Sequence, residues 1–340
     1  MVYQHPKNRQ NGGNMHSVFV RNVSEALYKG VNGLYNYGRE VKTRNGLALE
    51  FKAPVITEYS HPSEKVLFYP ERDANPFFHL MEAFWMLAGR NDVEWISQFN
   101  GRINNYSDDG KTFHGAYGYR WKNWFGKDQL QECFLRLSTY ENDRRVVLTM
   151  WDPKTDLVLS NDGRDYPCNT QIFFWRRDER LHMSIINRSN DMIWGAYGAN
   201  AVHMAVLQEY MAGMLRIQVG KMYQFSNNLH AYVEVLEKIK NIKDDYENYL
   251  TIGDDHGQYD PAPLLTHPHS FDKELKEWFQ ASENRTDYEN IFLGVTATPM
   301  RHAWELYKSK NLIKAIQVAK TINDRAWRKA CVEWLQRRQK

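Results

Sequence analysis

The chain has 340 residues, 42% hydrophobic and 25% charged, a composition that excludes disorder or low complexity over most of its length. Its 44 basic and 41 acidic residues leave a formal charge of +3, too even a balance to announce a nucleic-acid binder. No apolar run is long enough to span a membrane, and Met1–His16 is polar without the apolar stretch of a secretory leader. The cysteines are few and odd in number (Cys133, Cys168 and Cys331), which points to a reducing, cytoplasmic setting with each thiol packed or reactive. Aromatic residues reach 14%, with 11 Trp, enough for large flat surfaces in a core or around a flat ligand.

In chain order, Val18–Leu34 carries apolar residues at helical spacing, with Ser24 as a candidate cap. The polar turn Gly38–Gly46 leads into LALEF, which alternates like a strand. Pro76–Gly89 reads as a buried helix with proline near its start and glycine after its end. Arg145–Trp151, Gln171–Trp175 and Leu181–Asn187 read as strands of one sheet, and Ala201–Met214 as a long apolar helix. Val233–Tyr249 follows as a charged helix and Thr251–Ser270 as a loop. Ala303–Arg338 is expected as two amphipathic helices joined near Thr321–Asp324, their basic faces solvated. The expected architecture is mixed α/β with a broad sheet.

Cys168 stands in Asp165-Tyr166-Pro167-Cys168-Asn169, where Pro167 prevents helix and sets the thiol on a defined turn. Arg144-Arg145 precedes one strand and Asn187-Arg188-Ser189-Asn190-Asp191 follows another. If the strands share a sheet, basic and hydroxyl groups converge near one end of it. Clustered arginines lower a thiol's pKa and grip phosphate with forked donors. Read alone, a cysteine after a proline is more often a packed small residue, and the arginine pair reads as a surface feature.

Pro167-Cys168, Arg188-Ser189-x-Asp191, Gly195, Asn200 and His230-x-Tyr232, preceded by Glu82, Tyr117 and Asp143-Arg144-Arg145, resemble the thymidylate synthase superfamily in order and spacing. The RSND form of the arginine–serine motif resembles phage-type pyrimidine hydroxymethylases. The resemblance covers roughly residues 25–235 and implies an N-terminal tail (1–17), a catalytic core (18–235) and a mostly helical C-terminal extension (236–340).

By this resemblance the reaction transfers a one-carbon unit from 5,10-methylenetetrahydrofolate to C5 of a pyrimidine nucleoside monophosphate, without a metal. Cys168 would add to C6 as a thiolate. Arg188 and Ser189 would bind phosphate, joined by Arg144 and Arg145 from the partner of a homodimer with shared sites. A further arginine is expected at Arg39, with Arg44 as competitor. His230 and Tyr232 would bind the sugar, and Asp191 the pterin. Glu82 would organise water for proton transfers, and Tyr117 would help remove the C5 proton.

The segment GAYGAN is one residue longer than the synthase pattern. Placed in the loop, the insertion puts Asn200 at the base-recognition position, where an amide matches uracil; placed elsewhere, it puts Ala199 there. Three departures favour water over hydride as the quencher of the methylene intermediate. Ile103-Asn104 stands where synthases carry Ile-Trp, Asn169 replaces the histidine after the nucleophile, and the chain ends in EWLQRRQK instead of a short apolar terminus. The expected product is 5-hydroxymethyl-dUMP. Alternatives are dTMP, a hydroxymethylated dCMP or CMP, or a non-catalytic nucleotide- or RNA-binding relative. His267-Pro268-His269 lacks partners for a metal and reads as loop.

Overall fold

The computed structural model describes residues 15–43, 45–159, 163–244, 249, 252–253, 259–281 and 285–339. The chain opens with β1 (His16–Val20), α1 (Val23–Tyr37), β2 (Gly38–Thr43), β3 (Gly46–Phe51) and β4 (Val55–Tyr59). Val18–Leu34, expected as one helix, divides: Val18–Val20 pair in parallel with Thr57–Tyr59, and the helix cap is Asn22, not Ser24. The Asn22 side chain accepts the Glu25 amide at 3.1 Å, which ends the strand and starts the helix.

The middle of the chain contributes α2 (Pro76–Leu87), α3 (Val93–Ser97), α4 (Tyr117–Tyr119), α5 (Gln129–Thr139), β5 (Val147–Thr149) and α6 (Pro153–Asp156). Then come β6 (Asn169–Arg177), β7 (Arg180–Asn187), β8 (Asn190–Asp191), α7 (Asn200–Leu215), β9 (Gln218–Ser226), β10 (Leu229–Tyr232) and α8 (Val233–Leu236). The expected strands and the helices at Pro76 and Ala201 are all present.

The strands form two sheets where one broad sheet is expected: a six-stranded sheet ordered β1-β4-β9-β7-β6-β5 and a four-stranded one ordered β2-β3-β10-β8. β7 and β9 run parallel, and past Arg188-Ser189 and Asn227-Asn228 the same two chain segments continue as the parallel pair β8 and β10. Cross-bonds pin this step, from the Asn227 amide to the Asn187 carbonyl (2.9 Å) and from the Asn190 amide to the Asn228 carbonyl (2.8 Å). The polar residues at the step are those with which the resemblance builds a substrate site.

The helix α7 is buried around its whole circumference, as a helix without a polar face must be, and packs against α2, α5, β7 and β9. The helix α2 is likewise nearly all buried, leaving Glu82 as its one carboxylate. Phe77 is fully buried and Phe174 nearly so, both in the core.

The C-terminal region departs from expectation. Val233–Tyr249 is not one helix: α8 tightens into a 3₁₀ turn at Glu237–Ile239 and the chain then runs irregularly to Asp244. Much of Thr251–Ser270 lies outside the described residues, and its end already belongs to α9 (Pro268–Gln280). Three helices follow instead of two: α10 (Thr298–Lys308), α11 (Leu312–Ala319) and α12 (Arg325–Gln336). The extra break is a tight turn at Ser309–Asn311, where Lys310 takes φ +62°, and the Asn311 side chain caps the next helix. Trp304 and Trp334 pack on Phe77 of α2 at ring distances of 5.6 and 5.7 Å, so the C-terminal helices brace the helix that carries Glu82.

Candidate active site

Pro167 ends the loop before β6 and leaves Cys168 partly exposed at the strand entry. The Arg188 amide donates to the Cys168 carbonyl at 3.0 Å, so the nucleophile turn and the end of β7 are tied together. The Arg188 guanidinium reaches back, Nε to the Pro167 carbonyl (3.0 Å) and Nη2 to the Tyr166 carbonyl (3.2 Å). Nη2 is thereby held 3.9 Å from Sγ of Cys168. Burial pushes the Cys168 thiol up, and Arg188 pulls it back toward the thiolate, while Asp165 and Asp191 oppose that pull. Arg188 remains exposed beside the thiol.

Tyr117 lies within electrostatic reach of the thiol, and Glu82 within reach of Asp165. The Asn169 amide donates to the Tyr117 hydroxyl at 3.4 Å, and burial followed by the Cys168 charge raises the phenol well above its ordinary value. Glu82 is 17% exposed in its side chain, and its carboxyl is pushed up to about 8 by burial and then by Asp165. A carboxylate that holds a proton near neutral pH is suited to proton transfer.

The second sheet lays out the rest of the site. Its register places Arg39 opposite Glu50, Glu50 opposite His230, and His230 opposite Asp191, one line of charged and titratable residues across four strands. Arg39 is ion-paired with Glu50 at 2.6 Å, and Glu50 also accepts from the Asn228 side chain, whose Oδ1 meets Nδ1 of His230 at 2.8 Å. Although burial would raise Glu50, the bonds from Asn228 and Arg39 hold it below the usual carboxylate value. The Tyr232 hydroxyl accepts from Asn45 at 3.2 Å, and Arg44, the competitor of Arg39, lies outside the described residues. Ser189 sits at the step between the sheets, partly exposed.

Asp191 caps the irregular helical segment Met192–Ala199: one oxygen accepts from the Ile193 and Trp194 amides at 2.9 and 2.7 Å. Its other oxygen is buried with no hydrogen-bond partner among the described residues, so it is both a cap and an available acceptor. The segment breaks at Tyr197–Gly198, where the extra residue of GAYGAN is expected, and Asn200 opens α7. The Asn200 amide donates to Asn190 at 3.4 Å. Gly195 must be glycine here, because a Cβ would sit 2.8 Å from the Asn190 oxygen and 3.0 Å from the Asn200 nitrogen. Trp194 is exposed, with the Arg72 guanidinium 4.1 Å from its ring centroid, whereas Trp85 is buried in the core.

Some expected residues are not brought together with Cys168. Asn104 is exposed on the turn Gly101–Tyr106, and no side-chain contact joins it to the thiol among the described residues. Arg144 and Arg145 are exposed ahead of the edge strand β5, with Arg145 paired to Asp143. Asn169 is fully buried, and neither atom of its amide has a hydrogen-bond partner among the described residues. Cys133 and Cys331 are buried on α5 and α12 with their thiols pushed up by burial, in keeping with inert packing.

Three residues escape sequence reasoning. Asp165 acts electrostatically on Glu82, Tyr117 and Cys168, and its place in the nucleophile turn was the available signal. His203, three residues past Asn200 on α7, meets Glu82 at 3.2 Å. Asn187 is fully buried, pairs with Asn169 in the sheet register, and its side-chain Oδ1 has no partner among the described residues.

A cysteine beside an arginine at a strand entry, with a tyrosine hydroxyl at the amide of the next residue, forms the centre of this site. The thymidylate synthase family profile matches residues 30–250, and the chain belongs to that family. Its relatives include the deoxyuridylate hydroxymethyltransferase of Pseudomonas phage M6, 43% identical over 95% of each chain. The deoxyuridylate hydroxymethyltransferase of Bacillus phage SP01 is 30% identical over 71% of this chain and 67% of its own. That of Delftia phage PhiW-14 is 28% identical over 65% and 63%.

Proposed function

We propose that the protein transfers a one-carbon unit from 5,10-methylenetetrahydrofolate to C5 of dUMP and forms 5-hydroxymethyl-dUMP, water adding where a synthase would deliver hydride. The observation that carries this reading is the 43% identity spanning 95% of both chains to a phage enzyme named for that activity. The site's chemistry agrees with it. Cys168 attacks C6, and Arg188 favours its thiolate and supplies forked donors to the phosphate, with Ser189 beside it. Asn200, at the head of α7, offers both donor and acceptor to a uracil edge. His230 and Tyr232 lie on β10 toward the sugar, and Arg39 lies two strands away on the same register line.

The residues present fit a reduced folate: the unpartnered Asp191 oxygen is an acceptor for pterin N–H groups, beside the exposed Trp194 ring. When bound, the folate supplies the one-carbon unit. Glu82, protonated near neutral pH, and Tyr117 then hold and move protons at the base.

A cytoplasmic homodimer belongs to the same reading. The exposed Arg144 and Arg145 are available to a partner's phosphate site, and the six-stranded sheet leaves Ile56, Phe173, Trp175, Ile186, Tyr223 and Phe225 half-buried on one face. Among the described residues no helix is long and apolar enough to cross a membrane, and no group of His, Cys, Asp or Glu could hold a metal.

The deciding measurement is product mass after incubation with methylenetetrahydrofolate and each of dUMP, dCMP, UMP and CMP. Tetrahydrofolate with 5-hydroxymethyl-dUMP is expected; dihydrofolate with dTMP would overturn the proposal. Mixing Cys168→Ser with Arg144→Ala/Arg145→Ala subunits should restore activity absent from either, if the sites are shared.

A further inference from the structure

We infer that Asp165 is the general base that takes the proton from the water adding to the C5 methylene, an inference that rests on the hydroxymethylation reading above.

The carboxylate is built into the site by two loops. The Gly115 amide donates to Oδ2 of Asp165 at 2.8 Å. Gly115 has no room for a side chain, because a Cβ would lie 2.8 Å from Oδ1 of Asp165 and 3.1 Å from both the Asp165 carbonyl oxygen and the Pro167 nitrogen. The loop that fixes Asp165 goes on directly to Tyr117, and the turn that carries Asp165 goes on to Cys168. The bond from the Asn169 amide to the Tyr117 hydroxyl closes the circle at 3.4 Å. Asp165 is thus held between the nucleophile and the residues facing it, and its charge acts on Cys168, Tyr117 and Glu82 alike.

The turn that carries Asp165 leads into a pair of buried amides that offers a place for water. Asn169 and Asn187 are cross-strand partners, both fully buried, and three of their four amide atoms have no hydrogen-bond partner among the described residues. Buried amides are rarely left unpaired, and a small polar molecule with several partners is the usual remedy.

The two carboxyls divide the work. Glu82 keeps its proton near neutral pH. Asp165 is raised by burial, but the Gly115 amide, His114 and Arg120 favour its ionised form against Asp108. The charge of Asp165 is itself one of the causes that keep the proton on Glu82, and an ionised carboxylate beside a protonated one supplies a base and an acid to the same site. In the step itself the water oxygen bonds to the exocyclic methylene carbon and its proton passes to Asp165. The electron pair of the C5–methylene double bond moves into the ring as the enolate. The enolate then forms the C5–C6 double bond and expels the Cys168 thiolate.

The test separates early from late chemistry in Asp165→Asn, whose amide oxygen can still accept from Gly115. Tritium release from 5-tritiated dUMP reports the steps up to loss of the C5 proton, and mass spectrometry reports hydroxymethylated product. Release within a few-fold of the unmutated enzyme is expected, with product reduced roughly 10²–10⁴-fold. Added 2-mercaptoethanol should then trap the methylene as a thioether, and Asp165→Glu should recover part of the product. Parallel loss of release and product, or full product in Asp165→Asn, would overturn the assignment. An unmutated enzyme that releases tritium but yields dTMP would instead sink the hydroxymethylation reading.

Discussion

Oε2 of Glu82 lies 3.2 Å from Nε2 of His203, joining α2 to α7 behind the candidate active site. Burial pushes the carboxyl up to about 8 and the imidazole down to about 3, so near neutral pH both groups are uncharged and the proton rests on Glu82. Neutralisation avoids burying an ion pair, which would cost more in lost hydration than the contact returns. His79 is buried beside this pair, its ring 6.3 Å from that of His203, and burial, with the neighbouring His203 and Arg72, keeps it uncharged as well.

This arrangement ties stability to pH. The folded carboxyl has its pKa above the unfolded value of 4.5, so its stabilising contribution is complete below that value and is lost as pH rises through about 8. Glu82→Gln should therefore raise the free energy of unfolding at pH 8 to 9 relative to the unmutated protein, by an amount on the order of a few kcal/mol, with the gap closing toward pH 5. Activity should fall roughly 10²–10⁴-fold in the same variant. Calorimetry across this pH range, beside turnover assays, checks both; a melting difference independent of pH would refute the linkage.

The Arg188–Cys168 contact predicts a chemical signature. With Arg188→Leu, the opposing effects of burial and of Asp165 remain while the favourable one is removed. Alkylation of Cys168 by iodoacetamide at neutral pH should slow several-fold, and its pH midpoint should move upward. Affinity for dUMP should fall as well, by about 1.5–3 kcal/mol for a lost charge-assisted bond. An unchanged alkylation profile would show that Arg188 does not tune the thiol.

Base preference should turn on Asn200. Replacing its amide by a carboxyl in Asn200→Asp changes what is presented to the pyrimidine edge, so the ratio of kcat/KM for dUMP over dCMP should fall by roughly two orders of magnitude. Steady-state kinetics on both nucleotides measures this directly. No change in the ratio would move recognition to another residue, with Ala199 the neighbour to examine.

The C-terminal helices should matter to α2 through one aromatic cluster. Trp304 lies within 5.5–5.8 Å of the Phe99, Phe77 and Trp334 rings and donates to the Gln98 carbonyl at 3.2 Å. Trp304→Ala should cost ~3–5 kcal/mol in urea unfolding, with an unchanged slope if the denatured state is unaffected. Loss below about 1 kcal/mol would mean that the extension does not brace the core.

Much of the secondary structure and nearly all the chemistry-bearing residues were legible in the chain. LALEF, Pro76–Gly89 and Ala201–Met214 kept their patterns because each presents a period or a continuous apolar stretch that only one element type can bury. Val18–Leu34 misled because β-branched residues before Asn22 satisfy a helical period by coincidence, and their pairing partner in β4 is distant in sequence. Val233–Tyr249 misled for a different reason: charged residues at helical spacing show that a helix is tolerated, not that anything packs against it.

Sequence alone determined the family, and it singled out Cys168, the arginine–serine motif and Asn200 as the residues to test, because covalent chemistry and phosphate binding demand particular side chains in a particular order. Only the tertiary structure decided that the strands part into two sheets at Arg188-Ser189 and Asn227-Asn228. It alone placed Arg39, Glu50, His230 and Asp191 on one register line and brought Asp165 and His203 to bear on the catalytic groups. These are relations between segments far apart in the chain. Their effects on charge arise from burial and from distances of a few ångströms, which no local pattern of residues encodes.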